Sequence, residues 1–364
     1  MAGPWMIYGA NGYTGRLIAQ EALERGHKPI LAGRSRDAVE QMATALGLEW
    51  RAFGLQDEVA LARAIRGIDL VVHCAGPFVH TSAPMVRACL RTKAHYVDIT
   101  GEIPVFQNTF AHDEQARSSG VALLSGAGFD VVPSDCLARH VASRCPEASR
   151  LGIFIAGGER TSAGTTRSII EFLPTGGLAR RAGTLMPHPL GHGGKTVRFH
   201  DRERHVIPIP WGDLETAYRS TGIGDITTYM ALPPGADVLL RLFGGSLQRA
   251  LRSDRFRNAA ARLAGDLARP PDAGERRTGR SHFYARAKNA RGHTVEAWLE
   301  APEAYGLTAA TAVRSAERIL AMQPKGALTP SMAFGADFIL DIPGVRRYDE
   351  LPGGGPGTTE DEEA

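Results

Sequence analysis

Three glycines, Gly9, Gly12 and Gly15, lie in the segment GANGYTG, between an apolar run at 5–8 and a stretch where Leu17, Ile18, Ala22 and Leu23 recur at helical spacing. A strand that ends in such a loop and reopens as a helix constrains the fold more than any other feature of the chain. Glycine lets the backbone turn tightly and lets another molecule approach the main chain. The helix start that follows offers unpaired N–H groups and the positive end of its dipole. Together these features bind a pyrophosphate. The G-x-x-G-x-x-G spacing departs from the G-x-G-x-x-G form common among NAD sites, but it meets the same physical demands.

The loop sits in a repeating pattern. Strands are expected at 5–8, 29–32, 50–55, 70–74, 95–98 and 122–124, and helices at 15–25, 36–46, 59–65, 83–92 and 108–118. Such alternation predicts an α/β Rossmann domain, a doubly wound parallel sheet with helices on both faces. After about Pro133 the pattern changes. Longer strands are expected at 151–156, 196–199, 205–208, 227–231, 281–288 and 293–300, without a helix between each pair, and several alternate as antiparallel strands do. Residues 236–267 read as helical, 270–280 as an exposed loop, and 308–322 as a helix N-capped by Thr308. The last residues, 352–364, are glycine-rich and then acidic, a composition expected to be disordered.

The end of the second strand selects the cofactor. NAD sites usually carry Asp or Glu about 20 residues beyond the loop, to hold the ribose 2′-hydroxyl. Here the strand ends in Gly33-Arg34-Ser35-Arg36, with no carboxylate. The Arg34 guanidinium suits a 2′-phosphate, Ser35 adds a hydroxyl and Arg36 a second charge, so NADP(H) is expected over NAD. Asp57 follows the third strand, where a Rossmann chain passes the adenine. Ala75, Gly76, Pro77 and Phe78 follow the fourth, where small residues let a cofactor lie against the backbone. Cys74 beside them reads better as a core thiol than as a nucleophile.

Composition excludes several alternatives. Lys and Arg number 42 against 39 Asp and Glu, for a net charge of +3, which gives no basis for nucleic-acid binding. The four cysteines form no C-x-x-C pair, so reduced thiols in a cytoplasmic protein are expected. The N-terminus lacks the basic and long apolar regions of a signal peptide, and no apolar run is long enough to span a bilayer. His188 and His192 have no further ligands nearby, so no metal site is expected. Ser125 lies in no G-x-S-x-G elbow, which removes support for hydrolase chemistry.

Five segments in order, GANGYTG at 9–15, AGRS at 32–35, CAGPF at 74–78, YVDITGE at 96–102 and GAGFDVVPSD at 126–135, resemble the saccharopine dehydrogenase-like oxidoreductases. Within them the chain most resembles the trans-acting enoyl reductases of bacterial lipid and polyketide pathways. The resemblance implies a second α+β domain built on a mixed sheet and a C-terminal helix that returns to the first domain. The expected division is 1–135, 136–303 and 304–350, with an acidic tail at 351–364.

The resemblance also implies site roles. Gly9, Gly12 and Gly15, with Asn11, Tyr13 and Thr14 between them, hold the pyrophosphate. Arg34 and Ser35, beside Gly33, meet the 2′-phosphate. Residues 75–78, with Thr100, Gly101 and Glu102, border the nicotinamide half. Gly128-Phe129-Asp130 matches a stretch beside the substrate, which makes Asp130 the candidate for proton chemistry; a structural role at a helix start is its alternative. Tyr96 could donate a proton but suits the core better. The hydroxyls and N–H groups of 164–168 suit either a substrate or a helix cap.

The segment 238–268 mixes Val238, Leu239, Leu240, Leu242, Phe243, Leu247, Leu251 and Phe256 with Arg241, Arg249, Arg252, Arg255, Arg257 and Arg262. It suits an anionic membrane surface, the cap of an acyl pocket, a homodimer face, or core packing with a solvated arginine side. The functional expectation is an NADPH-dependent reductase that transfers a hydride to an activated double bond, with an enoyl thioester first among substrates. An imine of the saccharopine type and a non-catalytic NADP-binding sensor are the alternatives. Expected partners are a small-molecule or acyl-chain substrate, an acyl carrier, a membrane surface or a second copy of the chain, at a cytoplasmic location that includes the periphery of a membrane.

Overall fold

The strands of the first 130 residues are short and mostly buried, with side chains directed alternately to the two faces of one sheet. The computed structural model describes residues 3–157, 160–233 and 235–351. Its first unit runs to Val132 and resumes over Tyr305–Phe334. The sheet of this unit contains β1 (Trp5–Tyr8), β2 (Ile30–Gly33), β3 (Trp50–Ala52), β4 (Leu70–His73), β5 (His95–Asp98) and β6 (Ala122–Leu124), with Gly326–Leu328 as a seventh strand beside β6. From the other edge the order is β3-β2-β1-β4-β5-β6, and every pairing is parallel. This is the doubly wound order, and it reverses between β1 and β4, where such sheets bind nucleotides.

The helices of this unit are α1 (Tyr13–Glu24), α2 (Arg36–Leu46), α3 (Glu58–Ala64), α4 (Phe78–Thr92), α5 (Ile103–Ala111) and α6 (Asp113–Ser119). Two cores separate the faces of the sheet. Trp5 and Ile7 of β1 pack with Ile18 of α1, Val39 of α2, and Val313 and Ile319 of the helix Ala304–Met322. Met6 and Tyr8 pack on the other side with Leu61 of α3, Met85 of α4 and Ala116 of α6. Period-two alternation in a strand covered on both sides therefore explains its continuous apolar sequence.

The helix Ala304–Met322 is tied to α1 by one carboxylate. Glu317 accepts two hydrogen bonds from the guanidinium of Arg25 at 2.8 and 2.7 Å, one from His27 Nε2 at 2.9 Å and one from Arg314 at 3.1 Å. Burial opposes its ionisation, but these hydrogen bonds outweigh that cost and pull the carboxyl down to about 2.

The second unit comprises Pro133–Ala304 and the chain from Gly335 onward. In chain order its elements are α7 (Val132–Arg144), β7 (Ala148–Ala156), α8 (Ala163–Phe172), β8 (Gly177–Arg181), β9 (Thr184–His188), β10 (Lys195–Arg198), β11 (Glu203–Pro208), α9 (Asp213–Thr221), β12 (Asp225–Ala231), α10 (Ala236–Leu251), α11 (Asp254–Leu267), α12 (Ala273–Thr278), β13 (Arg280–Asn289) and β14 (Thr294–Pro302). The sheet order is β10-β11-β12-β7-β13-β14, followed by the strand Arg346–Tyr348, and β8 pairs with both β12 and β9. It is a mixed sheet, because β7 lies parallel to β12 and antiparallel to β13.

One row of aromatic rings crosses this sheet in register. Tyr229 of β12 pairs with Phe154 of β7, Phe154 with Tyr284 of β13, Tyr284 with Trp298 of β14, and Trp298 with Tyr348. The first three pairs stack with ring centroids 4.6, 4.7 and 5.2 Å apart. The Lys195 ammonium lies 4.6 Å from the Tyr229 ring centroid and 5.2 Å from that of Phe154.

Several local expectations are corrected. The helix expected at 108–118 is two helices, α5 and α6, broken at His112. The expected loop at 270–280 contains α12, closed by a capping box in which Asp272 and Glu275 each accept the other's backbone N–H. Thr308 is not an N-cap: its helix starts at Ala304, and its Oγ1 instead accepts the N–H of Phe129 at 3.0 Å. Residues 236–267 form two helices separated by Arg252 and Ser253. The acidic segment 352–364 lies outside the described residues.

Replacement of Glu317 by Gln is expected to lower stability by about 1 kcal/mol at neutral pH, the scale of a partly exposed multidentate ion pair. Its folded carboxyl titrates below the ordinary glutamate range, so the stabilisation is present above that range and fades as pH falls towards about 2. Urea unfolding of Glu317→Gln beside the parent, at neutral and at acid pH, should show the gap narrowing on the acid side.

Candidate functional site

The loops that follow β1, β4, β5 and β6 leave the same edge of the parallel sheet, and nearly all of the expected site residues lie on them. Gly9 takes φ +85°, and a Cβ there would lie 2.9 Å from the Ala75 nitrogen, so the first loop can rest on the second only with glycine. A Cβ at Gly15 would lie 2.3 Å from the Gly9 carbonyl oxygen, so this glycine lets α1 begin against its own loop. At Gly12 the one near neighbour is the Gly9 oxygen, 3.2 Å away, and Gly12 is exposed. The three glycines thus divide the work: the outer two allow close internal packing, and Gly12 presents open backbone. No side chain caps the first turn of α1 and no acidic residue stands in it, which leaves its N–H groups for an anion.

Around this loop Asn11 and Gly33 are neighbours. A Cβ at Gly33 would lie 3.0 Å from Asn11 Oδ1, so glycine there gives the Asn11 side chain its room. Tyr13 packs edge-on against Tyr305, and Thr14 is half-buried beside it. Arg34 and Ser35 are exposed at the end of β2. Among the described residues Arg34 makes no ion pair, and Ser35 is the N-cap of α2 without a side-chain bond. Arg36 is differently employed: its guanidinium lies 5.5 Å from the Trp50 ring centroid and 3.7 Å from Glu40. Asp57 caps α3, with one carboxylate oxygen accepting the N–H groups of Val59 and Ala60 at 2.9 and 3.0 Å.

A chain of hydrogen bonds orders the opposite side. Asp98, fully buried at the end of β5, accepts from Thr100 N and Gly126 N on one oxygen, at 3.1 and 2.9 Å. Its other oxygen accepts from the hydroxyls of Tyr96 and Ser125, each at 2.9 Å. Thr100 Oγ1 in turn accepts the N–H of Glu102 at 3.0 Å. The Glu102 carboxylate then accepts from Phe78 N at 2.9 Å and Val79 N at 2.7 Å, the first turn of α4. Residues 75–78 are therefore held from across the edge, and Ala75 O accepts the Thr81 hydroxyl at 2.6 Å. Glu102 acts as a second cap for a helix whose own N-cap is Pro77, which has no side-chain acceptor.

Asp130 lies beside this chain. Its carboxyl rests over Gly101, where a Cβ would approach Oδ2 to 2.9 Å. Burial of the carboxyl, reinforced by the nearby Glu102 charge, pushes it up to about 7. The segment that carries it is clamped on both sides: Ala127 N donates to Asp98 O at 2.7 Å, and Thr311 Oγ1 donates to Ala127 O at 2.8 Å. A carboxyl with this titration range can both hold and release a proton near neutral pH.

Other sequence candidates fall elsewhere. Tyr96 is buried, with its hydroxyl bonded to Asp98. Burial and the Asp98 charge push the Cys74 thiol up, so it is no thiolate nucleophile. Ser162 caps α8 by accepting Thr165 N at 3.2 Å, and residues 164–168 lie inside that helix. His188 and His192 bond to the carbonyls of His192 and Leu190, and among the described residues no cluster of three or more His, Cys, Asp or Glu could hold a metal.

Comparison with known proteins fits this geometry. Residues 5–124 match the saccharopine dehydrogenase NADP-binding domain. A trans-acting enoyl reductase of Mycobacterium leprae is 35% identical over 139 residues, which cover 36% of this chain and 33% of that protein. A trans-acting enoyl reductase of Mycobacterium tuberculosis is 31% identical over 139 residues, again 36% of this chain and 33% of the relative. The matched region thus spans about a third of the curated relatives. Among solved structures, homospermidine synthase from Legionella pneumophila, in complex with NAD, superposes with TM-score 0.64 at 12% identity, covering 100% of this chain and 95% of that one. Saccharopine dehydrogenase (L-Glu forming) from Saccharomyces cerevisiae gives 0.61 at 12% identity, covering 93% and 96%. Residues 5–124 are therefore similar to an NADP-binding domain of the saccharopine dehydrogenase type, and the chain carries the fold of those dehydrogenases.

Removal of the Glu102 side chain strands two helix N–H groups, that of Phe78 buried and that of Val79 partly so. Glu102→Ala is expected to cost about 3 kcal/mol in urea unfolding, and Glu102→Gln, which keeps one carbonyl acceptor, about half of that. Equal losses in the two variants would deny the carboxylate its capping role.

Proposed function

We propose that the chain is an NADPH-dependent reductase that saturates an activated carbon–carbon double bond of an acyl thioester. The observation that carries the reading is the Asp130 carboxyl, half-buried over Gly101 and near Glu102 on the cofactor-side loops and pushed up to about 7. NADPH, when bound, supplies the hydride. In the reading, the reaction consumes one enoyl thioester, one NADPH and one proton and yields the saturated thioester and NADP+. Asp130 supplies the proton to the carbon next to the thioester carbonyl and is reprotonated from solvent.

The remaining residues bind and orient. Gly12 and the open first turn of α1 take the pyrophosphate, with Gly9, Asn11, Tyr13, Thr14 and Gly15 shaping that loop. Arg34 and Ser35 take the 2′-phosphate, and Gly33 keeps the strand end clear. Ala75, Gly76, Pro77 and Phe78, with Thr100 and Gly101, line the nicotinamide end, where Glu102 and Asp98 fix them. Asp57 borders the adenine with the carboxylate oxygen that its capping bonds leave. Support for an acyl thioester, free or delivered on an acyl carrier, comes from the enoyl reductase relatives, which share the N-terminal third. A saccharopine-type imine reductase would use the same cofactor loops, and turnover of a keto acid with an amine but not of crotonyl thioesters would favour it. Tight NADPH binding without turnover on either class would make the chain a sensor.

Three measurements test the assignment. In a fluorescence titration NADPH should bind more tightly than NADH, and Arg34→Ala should weaken NADPH about 10- to 100-fold while leaving NADH nearly unchanged, the scale of one charge-assisted phosphate contact. For crotonyl thioester reduction, kcat/KM should fall as pH rises through about 7, because Asp130 must be protonated to act as the acid. Asp130→Asn should lose on the order of 100-fold and flatten that limb. The raised carboxyl also costs the parent stability as pH climbs from the ordinary aspartate range to about 7, because the unfolded chain ionises first, so the stability of Asp130→Asn relative to the parent should rise across that interval and level off above it.

A further inference from the structure

Helices α10 and α11 are amphipathic, yet most of their larger apolar side chains are exposed. More than half of the exposed large apolar side chains among the described residues belong to these two helices. On α10, Leu239, Leu242 and Phe243 are 60%, 67% and 63% exposed. On α11, Phe256, Leu263 and Leu267 are 50%, 64% and 70% exposed. These positions recur at helical spacing and form one stripe on each helix. The buried residues of the two helices are Gly244 and Leu251 on α10 and Gly265 on α11. Gly244 of α10 is buried, with Leu190 where its Cβ would be, and Gly265 of α11 is buried against the Arg167 guanidinium. Of the large apolar side chains on the two helices Leu251 alone is buried and most of the others are exposed, which reverses the usual arrangement of a surface helix.

Charge borders the stripes. Arg252 lies in the two-residue link between the helices, and Arg255 and Arg262 flank the α11 stripe. All three are exposed, and among the described residues none of them makes an ion pair. Apolar rows beside unpaired arginines are complementary to an interface that has hydrocarbon below and anionic headgroups above. A second copy of the chain fits less well, because a two-fold pairing of these stripes would set unpaired arginines against one another. The C-terminal segment 353–364 offers carboxylates but no large apolar side chain to cover Leu242 or Phe243. Among the described residues no helix is long and apolar enough to cross a membrane, so the contact is one of lying on the surface.

We infer that α10 and α11 dock the protein onto a bilayer containing anionic lipid, with Leu239, Leu242, Phe243, Phe256, Leu263 and Leu267 entering the headgroup–acyl boundary and Arg252, Arg255 and Arg262 meeting the lipid phosphates. The inference stands apart from the reductase reading, since it uses no residue of the cofactor loops.

Cosedimentation of the full chain with vesicles tests it, using phosphatidylcholine alone and an equimolar mixture with phosphatidylglycerol. The protein is expected to pellet with the mixed vesicles, to bind the neutral ones weakly, and to be released by added salt. Arg252→Glu with Arg255→Glu should weaken binding more than 25-fold, because each lost arginine alone is worth about fivefold. Leu242→Ser with Phe243→Ser should weaken it at least tenfold. Both variants change exposed side chains, so NADPH titration should be unaltered and would expose misfolding. Protein that stays in the supernatant with both vesicle types overturns the inference, as does equal binding to neutral and anionic vesicles. A Leu242→Ser/Phe243→Ser variant that converts a dimer to a monomer in light scattering, with vesicle binding unchanged, overturns it in favour of a second copy.

Discussion

The Asp98 carboxyl accepts four hydrogen bonds in a place from which water is excluded, and the cofactor side of the first unit is assembled from it. Through Gly126 it sets the segment that carries Asp130. Through Thr100 it sets Glu102, and through Glu102 the first turn of α4 and residues 75–78. Burial pushes Asp98 up to about 6 in spite of these bonds. The relay leaves few free choices: loops from three strands share one network, so the position of each is fixed by the others rather than by its own sequence. The same enclosure drives the Asp130 carboxyl towards neutrality. The order of this edge and the raised Asp130 carboxyl therefore have one physical origin, the withdrawal of carboxyl groups from water.

The parts of this arrangement that are local in the chain could be read from the sequence. The glycine loop, the alternation of short apolar runs with helical spacing, and the missing acid after β2 each lie within a few dozen residues, and the doubly wound sheet follows from them. What escaped is non-local or depends on direction. Thr308 looks like an N-cap in isolation, but its bonding partner is Phe129, and no short-range pattern reports that pairing. Glu102 carries no signal of its own as a cap for α4, because Phe78 and Val79 are distant in sequence; the absence of an acceptor at Pro77 was the available hint. The parallel pairing of β12 with β7 likewise depends on a crossover of about seventy residues and not on the alternation within either strand.

Periodicity also reports that a helix has an apolar face without reporting where that face is directed. In α1 the apolar face is turned into the sheet, as Ile18 shows, whereas in α10 the same periodicity turns Leu242 outward. The difference lies in what the opposite side can tolerate. Gly244 and Gly265 let their helices approach the body closely, and of the large apolar side chains on the two helices only Leu251 is buried. Small residues at those two positions thus go with the outward direction of Leu242, Phe243, Leu263 and Leu267, each within one turn of its glycine.

The ring row of the second sheet has an optical meaning as well as a mechanical one. Trp298 is almost wholly buried, lies in register with Tyr284 and Tyr348, and donates its indole N–H to Arg198 O at 2.9 Å. Stacked chromophores this close, fixed at interplanar angles of 10 to 21°, couple their transition dipoles. Since the strand period is two, a slip of one residue in any of these strands would carry its ring to the opposite face and uncouple it. The sheet therefore holds a built-in set of coupled chromophores whose contribution to the near-ultraviolet ellipticity depends on strand registration.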